Sequence, residues 1–135
     1  MSDIFENKLR VRYGETDQMG YVYYGNYAQF LEVARTELIR SIGLSYKQLE
    51  EMGIRLPVVN LNIAYRQAAK YDDLLSLCTQ IKGDISKKIT FATDMYNEDN
   101  QLICHAEVEL IFVNVSTGKV MTCPSDLNMK LSRYK

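Results

Sequence analysis

The sequence predicts an α+β fold, in which one curved antiparallel sheet of about five strands wraps around one long central helix. Three observations support this prediction. A segment of alternating polar and apolar residues comes first, a stretch with apolar residues every three or four positions follows, and four further alternating segments come last. Strands and helices therefore do not alternate along the chain, which favours an antiparallel sheet. The helix has a broad apolar face, and a curved sheet is able to cover it.

The first strand is predicted over residues 8–13. Leu9 and Val11 alternate there with basic residues, which is the period of a strand with one buried face. Gly14 ends the segment, and residues 15–20 are rich in turn-forming and polar side chains. We therefore expect a loop between the first strand and the long helix.

The long helix is predicted to run from Asn26, its N-cap, to about Ser41. Its apolar positions recur at spacings of three and four: Tyr27, Phe30, Leu31, Ala34, Leu38 and Ile42. Gly43 supplies the glycine that commonly ends a helix. A second, short helical stretch is expected between Ser45, as its cap, and Gly53.

Period-two alternation returns after residue 56 and predicts the remaining four strands. Their segments are 59–65, 75–81, 88–96 and 102–115, and the polar residues 97–100 form a hairpin connection. The last strand is expected to direct Leu102, Cys104, Ala106, Val108, Leu110 and Phe112 to one face and His105, Glu107 and Glu109 to the other. Pro124 precedes a short C-terminal helix.

The composition limits the possible functions. With 135 residues, 47% of them hydrophobic and 24% charged, the chain is expected to form one globular domain, residues 1–135. A net charge of -1 argues against a nucleic-acid partner. No apolar run approaches the ~20 residues of a membrane span, and the N-terminal residues lack a secretory pattern. We therefore expect a cytoplasmic protein with no membrane span.

The cysteines and the histidine give no sign of a metal or a disulfide. Cys78, Cys104 and Cys123 are an odd number without a CxxC pair, so we expect them reduced and buried as small hydrophobic side chains. The single histidine, His105, has no cysteine or second histidine at ligand spacing.

The most unusual local feature is the polar and tyrosine-rich segment of residues 13–27, between the first strand and the start of the long helix. A helix N-terminus carries unpaired N–H groups and a partial positive charge, which suit it to stabilise an oxygen that gains negative charge. A carboxylate just upstream, Glu15 or Asp17, is then a candidate base or nucleophile. The alternative is that both carboxylates only form turn and capping interactions.

A resemblance to a known family covers nearly the whole chain. It rests on the run Tyr13-x-Glu15-Thr16-Asp17-x-x-Gly20-x-Val22-Tyr23-Tyr24-x-Asn26-Tyr27, on Glu32-x-Ala34-Arg35-x-Glu37, and on Ala69-x-Tyr71-x-Asp73 before a strand. This pattern resembles the signature of the 4-hydroxybenzoyl-CoA thioesterase family of hotdog-fold proteins. The resemblance implies a hotdog fold and hydrolysis of acyl-CoA thioesters without a metal or organic cofactor. It also implies a homodimer or homotetramer in which each site draws on two chains.

The resemblance implies catalytic roles for three residues. The family's catalytic aspartate falls on Asp17, which would act as a nucleophile through a mixed anhydride or as a general base on water. The backbone amide that polarises the thioester carbonyl falls on Tyr24, where many members carry histidine instead. Tyr13 matches an aromatic position beside the aspartate, and we expect it to position the reacting groups.

Four residues are expected to bind substrate: Asn26, Glu32, Lys87 and Lys88. Glu32 matches a residue that reaches the acyl pocket across a subunit interface, and the alternative is an exposed ion pair with Arg35, three positions later. Lys87 and Lys88 match a basic cluster that contacts the phosphates or ribose of CoA, and the alternative is an ordinary solvated turn.

Three other functions stay open at this point. A thioesterase for acyl-carrier-protein thioesters would need a basic docking surface for the carrier protein. A non-catalytic acyl-CoA-binding hotdog domain would bind the same ligands without turnover. A dehydratase usually relies on a histidine, and His105 is expected to lie outside the site.

Overall fold

The computed structural model describes residues 3–135. Its strands are β1 (Phe5–Arg10), β2 (Ile54–Arg55), β3 (Val58–Tyr65), β4 (Leu74–Lys82), β5 (Lys88–Tyr96), β6 (Leu102–Ile111) and β7 (Val113–Asn114). Its helices are α1 (Tyr27–Ser41), α2 (Tyr46–Glu51) and α3 (Ser125–Leu131), with 3₁₀ helices at Tyr13–Glu15, Tyr24–Asn26 and Ser132–Tyr134. Met1 and Ser2, which begin the segment used for the secretory-signal prediction, lie outside the described residues.

The predicted α+β architecture is confirmed. The main sheet has five strands in the order β1–β4–β5–β6–β3, and every neighbouring pair is antiparallel. A separate small sheet pairs β2 with β7. Helix α1 packs against β1, β4 and β5 on one side of the main sheet. We call this side the inner face and the opposite side the outer face.

The buried stripe of α1 follows the predicted spacing. Its buried residues are Tyr27, Phe30, Leu31, Ala34, Leu38 and Ile39. Ile42 is only partly buried, because α1 ends at Ser41 and the chain turns away at Gly43, where φ is 89°. The packing of this stripe places the start of α1 beside the loop that follows β1.

The entry into α1 differs from the prediction at Asn26. Asn26 occupies the N-cap position, but its side chain makes no capping hydrogen bond and its backbone is already helical, with φ -79° and ψ -16°. A capping side chain normally needs an extended backbone. The chain enters α1 through the 3₁₀ turn Tyr24–Asn26, which removes that geometry and frees the amide side chain. Ser45 does cap α2 as predicted, since its hydroxyl accepts from the Gln48 N–H at 3.1 Å.

The predicted bounds of the first strand were wrong. Strand β1 covers Phe5–Arg10 instead of residues 8–13, because its partner β4 begins at Leu74, directly opposite Arg10. Beyond that point, the Glu15 carboxylate accepts from the Arg12 N–H at 2.7 Å and folds the chain into a 3₁₀ turn. Local side-chain bonding therefore overrides the strand pattern here.

The predicted inner face of β6 is correct from Cys104 to Leu110, and Phe112 just beyond the strand is also buried. Leu102 is an exception, since a β-bulge at this point turns Ile103 inward, where it is fully buried. The strand also ends at Ile111 instead of residue 115, and the chain continues into β7.

Strand β3 lies at the edge of the main sheet and carries exposed apolar side chains. Val59 is 50% exposed, Leu61 41% and Tyr65 49%. Leu61 and Tyr65 pair with the buried inner-face residues Val108 and Cys104, so they lie on the inner face but are not covered by α1. A long edge strand with exposed apolar residues invites pairing with another chain.

No helix within residues 3–135 is long and apolar enough to cross a membrane. The cysteine prediction is confirmed for Cys104 and Cys123, which are free and buried, while Cys78 is only partly buried on the outer face. Burial raises the pKa of the Cys104 thiol to about 12 and that of the Cys123 thiol to about 11. These thiols are therefore protonated near neutral pH.

Candidate active site

The loop after the Tyr13–Glu15 turn holds Asp17 in a fixed orientation. The Asp17 N–H donates to the Tyr21 carbonyl at 2.8 Å, and the Asp17 carbonyl accepts from the Gly20 N–H at 3.0 Å. Oδ1 of Asp17 accepts from the N–H groups of Met19 at 2.9 Å and Tyr21 at 3.2 Å. The other oxygen, Oδ2, accepts no hydrogen bond from residues 3–135. One carboxylate oxygen thus orients the side chain and the other is available for chemistry.

Glu15 has a structural role. Its buried carboxylate accepts from the Arg12 N–H at 2.7 Å and from the Arg12 guanidinium at 2.9 Å. Burial alone would raise the pKa of Glu15, but the two hydrogen bonds from Arg12 and its positive charge outweigh burial and lower it. The capping alternative is therefore correct for Glu15, and Asp17 is the remaining candidate for a catalytic carboxylate.

The start of α1 is tied to the Asp17 loop through the carbonyl of Glu15. This oxygen accepts from the Tyr23 N–H at 2.9 Å and from Nδ2 of Asn26 at 2.8 Å. Asn26 thus positions the helix start, and its expected contact with substrate stays a prediction. The N–H groups of Tyr24 and Gly25, first in the 3₁₀ turn, donate to no acceptor within the described residues. Two unpaired donors at a helix start can stabilise a developing oxyanion.

Asp17 and Tyr24 line the same cleft of about 330 Å³, which we call the Asp17 cleft. Tyr27 and Tyr65 form part of its wall, and their rings meet edge to face with centroids 5.3 Å apart. The buried Tyr27 hydroxyl accepts from the Ala69 N–H at 3.3 Å, which fixes the ring. The structure therefore brings Asp17 and Tyr24, the residue that carries the predicted helix amide, to one cleft beside an aromatic wall.

Tyr13 lies on the other side of Asp17. It lines a second, open depression of about 610 Å³ together with Asp17 and Tyr71, and the two tyrosine rings meet edge to face at 5.7 Å. Tyr13 does not line the Asp17 cleft. A positioning role for Tyr13 would therefore act on Asp17 from outside the cleft.

The sequence reasoning missed Tyr65 and Arg66, which both line the Asp17 cleft. In the sequence, Tyr65 is only the last alternating residue of a predicted strand. Its place in the cleft depends on the packing of the end of β3 beside the start of α1. Arg66 immediately follows the strand, and this position at a strand end was the one available signal.

Lys87 and Lys88 are far from Asp17 within one chain. β5 begins at Lys88, whereas the loop that carries Asp17 follows the end of β1, at the opposite end of the sheet. Nine residues of β5 separate the two ends, which corresponds to about 26 Å. Nζ of Lys88 also lies 3.3 Å from a carboxylate oxygen of Glu109. A single chain therefore does not bring these lysines to the Asp17 cleft.

Glu32 is exposed on α1 and lines a groove of about 230 Å³ between α1 and β3, which we call the α1–β3 groove. Arg35 lines the same groove. The alternative of an ion pair between them is wrong, because among the described residues no carboxylate lies within 4.0 Å of a nitrogen of the Arg35 side chain. Glu32 is therefore free to face a ligand or a second chain.

His105 lies outside the site, as expected. It is on the outer face, where Nδ1 donates to Oδ1 of Asp94 at 2.6 Å and Nε2 is 3.3 Å from Oε2 of Glu107. The Asp94 hydrogen bond contributes most to a raised pKa of His105, and Glu107 adds to it against the effect of burial. The dehydratase alternative thus has no histidine in the Asp17 cleft.

Comparison with known proteins shows the family. Residues 11–131 match the Thioesterase-like superfamily. The acyl-CoA thioester hydrolase YbgC of Escherichia coli O157:H7 is 30% identical over 124 residues, covering 92% of this chain and 92% of YbgC. A DHNA-CoA thioesterase from Staphylococcus aureus superposes with a TM-score of 0.83 at 32% identity, covering 88% of this chain and 80% of that one. A 4-hydroxybenzoyl-CoA thioesterase mutant solved in complex with 4-hydroxybenzoyl-CoA superposes with a TM-score of 0.86 at 25% identity. The match covers 96% of this chain and 99% of that one.

The fold and these relatives define a thioester hydrolase with a hotdog fold. The chain belongs to the Thioesterase-like superfamily. The family resemblance read from the sequence is therefore confirmed.

Proposed function

We propose that this protein hydrolyses acyl-CoA thioesters in the Asp17 cleft. The observation that carries the proposal is that two residues line one cleft: Asp17, whose carboxylate has a free oxygen, and Tyr24, whose N–H is unpaired within the described residues. The acyl-CoA substrates named for YbgC and for the superposed thioesterases support the choice of ligand.

Hydrolysis in this cleft would follow one of two routes. As a nucleophile, Oδ2 of Asp17 attacks the thioester carbon, the C–S bond breaks, CoA leaves as the thiolate, and water then hydrolyses the mixed anhydride. As a general base, Asp17 takes a proton from water while the water oxygen attacks the carbon; the C–S bond then breaks, and the proton passes to the leaving sulfur. In both routes the Tyr24 N–H donates to the carbonyl oxygen as its negative charge grows.

Replacing Asp17 with Asn tests this proposal. We expect Asp17→Asn to keep the fold and to lower kcat by roughly 10² or more, because the amide can neither attack nor accept the proton. Release of free thiol from a panel of straight-chain, branched and aromatic acyl-CoAs gives kcat, and circular dichroism checks the fold.

Asp72→Asn is the matched control, since Asp72 is an exposed aspartate in a turn outside the cleft. Near-full kcat in Asp17→Asn would remove Asp17 from the mechanism. If the wild type bound acyl-CoA stoichiometrically without turnover on any member of the panel, the protein would be a binding domain.

We further propose that the working unit is a homodimer joined along β3. Antiparallel pairing of two β3 edges about a two-fold axis would bring the far end of the partner's sheet next to the Asp17 cleft. The start of the partner's β5 would then lie three strand spacings away, or about 14 Å. Within one chain, the start of β5 lies about 26 Å from the end of the sheet that carries the Asp17 cleft, so the partner's β5 would be nearer. The partner's Lys87 and the partner's Lys88 would then meet the phosphates of a CoA whose thioester lies at Asp17.

A further inference from the structure

The α1–β3 groove continues the Asp17 cleft along the same two elements. Tyr27 and Tyr65 line the cleft, while Leu31 and Leu61 line the groove. Leu61 and Tyr65 lie on the same face of β3, since both pair with buried inner-face residues of β6. An acyl chain that enters at Asp17 would therefore pass along this groove, away from the CoA thiol.

Arg35 lies in the wall of this groove and forms no ion pair within residues 3–135. It is partly buried, and its Nε is shielded from solvent without a hydrogen-bond partner within residues 3–135. The next arginine on the helix, Arg40, does lie 3.6 Å from the carboxylate of Glu37. A partly buried cation without a carboxylate in contact is costly, so a ligand that supplies one binds favourably.

Tyr46 of α2 supports Arg35 from the other side. Its hydroxyl is also shielded from solvent and has no hydrogen-bond partner within the described residues. Burial raises the pKa of Tyr46 and the negative charge of Glu32 adds to this effect, while the nearby Arg35 guanidinium opposes it, so the phenol is neutral near pH 7. The Arg35 guanidinium and the Tyr46 hydroxyl therefore lie close together. Nε of Arg35 and the Tyr46 hydroxyl are both shielded from solvent, which suits Tyr46 to hold Arg35 in place.

Building on the proposed function, we propose that Arg35 binds a carboxylate at the far end of the acyl group. Arg35 is eleven residues beyond Tyr24 on the helical path, which corresponds to about 16 Å from the amide that faces the thioester. An aromatic acyl group is too short to span this distance, whereas an extended medium-length aliphatic chain reaches it. A terminal carboxylate supplies the missing negative charge and accepts from the guanidinium, which a methyl end cannot do. Tyr46 acts as a positioning residue for Arg35.

The test compares dodecanoyl-CoA with the CoA monothioester of dodecanedioic acid. We expect wild-type kcat/KM to be about tenfold higher or more for the dicarboxylic substrate, in line with one charged hydrogen bond. Arg35→Met should abolish this preference by lowering kcat/KM for the dicarboxylic substrate far more than for dodecanoyl-CoA, and Tyr46→Phe should reduce the preference partly. Arg40→Met, an exposed change on the same helix, should leave the preference intact.

Two results would overturn the proposal. One is a wild type that prefers dodecanoyl-CoA. The other is an Arg35→Met variant that loses activity equally on both substrates or changes its oligomer mass in light scattering, which would make Arg35 a subunit-contact residue.

A binding measurement separates this proposal from the proposed function. Calorimetry on Asp17→Asn should show tighter binding of dodecanedioic acid than of dodecanoic acid, and Arg35→Met in that background should remove the difference. If no acyl-CoA is hydrolysed but this binding difference is found, the catalytic proposal fails and the assignment of Arg35 stands. If acyl-CoAs are hydrolysed and the difference is absent, only the assignment of Arg35 fails.

Discussion

At the scale of single residues, two acidic side chains two positions apart have different tasks. Glu15 is buried and bonded to Arg12, whereas Asp17 keeps one oxygen free and lines the cleft. Their spacing in the sequence does not distinguish them, because both sit among turn-forming residues. The difference arises from the 3₁₀ turn, in which the Glu15 side chain reaches back to the backbone of Arg12.

The pKa of Glu15 predicts how stability depends on pH. A carboxyl whose pKa is lowered by folding stabilises the protein above its unfolded pKa of about 4.3, and this contribution is lost as pH falls through the folded pKa. We expect Glu15→Gln to lower the free energy of unfolding by about 1–3 kcal/mol at neutral pH, and the difference from wild type should vanish in acid. Urea unfolding of both proteins from neutral to acid pH measures this difference in the free energy of unfolding.

Glu51→Gln is the control for this prediction, because Glu51 is exposed and forms no ion pair within the described residues. A difference between Glu15→Gln and wild type that stayed constant down to acid pH would show that the carboxylate charge of Glu15 is not the cause.

At the scale of elements, β3 was predicted as a strand from its alternation, and in the structure it is a largely exposed edge. Period-two alternation reports which side chains share a face, but it does not report where a strand lies in the sheet. Central strands β4 and β5 bury the same kind of pattern because α1 packs against their inner face. The exposed apolar side chains of β3 therefore favour burial against a second chain.

Leu61→Lys tests the β3 edge. We expect wild type to have at least twice the mass of one chain in light scattering, and Leu61→Lys to shift it to the monomer, because two lysines would face each other across a two-fold axis. Met129→Lys introduces the same charge at an exposed apolar residue of α3 and should leave the mass unchanged. A monomeric wild type, or an unchanged mass in Leu61→Lys, would argue against pairing along β3.

At the scale of the whole molecule, the Asp17 cleft of one chain lacks the predicted CoA-binding lysines. We expect Lys87→Ala combined with Lys88→Ala to raise KM for acyl-CoA more than it lowers kcat, because these residues would contact a remote part of the substrate. The short pantetheine thioester of the same acyl group should be affected much less. An equal rise in KM for acyl-CoA and for the pantetheine thioester would show that the lysines do not bind CoA.

Mixed dimers then decide which chain supplies the lysines. A dimer of one Asp17→Asn chain and one double-lysine-variant chain contains one intact site if each site takes Asp17 and the lysines from different chains. Such a mixture should recover a substantial part of wild-type kcat/KM. No recovery above the two separate variants would place both groups in one chain.

The sequence by itself determined the elements and the identity of the catalytic candidates. Three local patterns carried this information: the 3.6-residue stripe of α1, the alternation of the strands, and the residue run from Tyr13 to Tyr27. Local patterns of this kind indicate secondary structure and family membership. Only the tertiary structure decided that β3 is an edge, that Tyr65 and Arg66 join the cleft and that Arg35 forms no ion pair within residues 3–135. It also placed Lys87 and Lys88 at the far end of the sheet. These facts depend on strand order and on packing between residues distant in the chain, which no local spacing encodes.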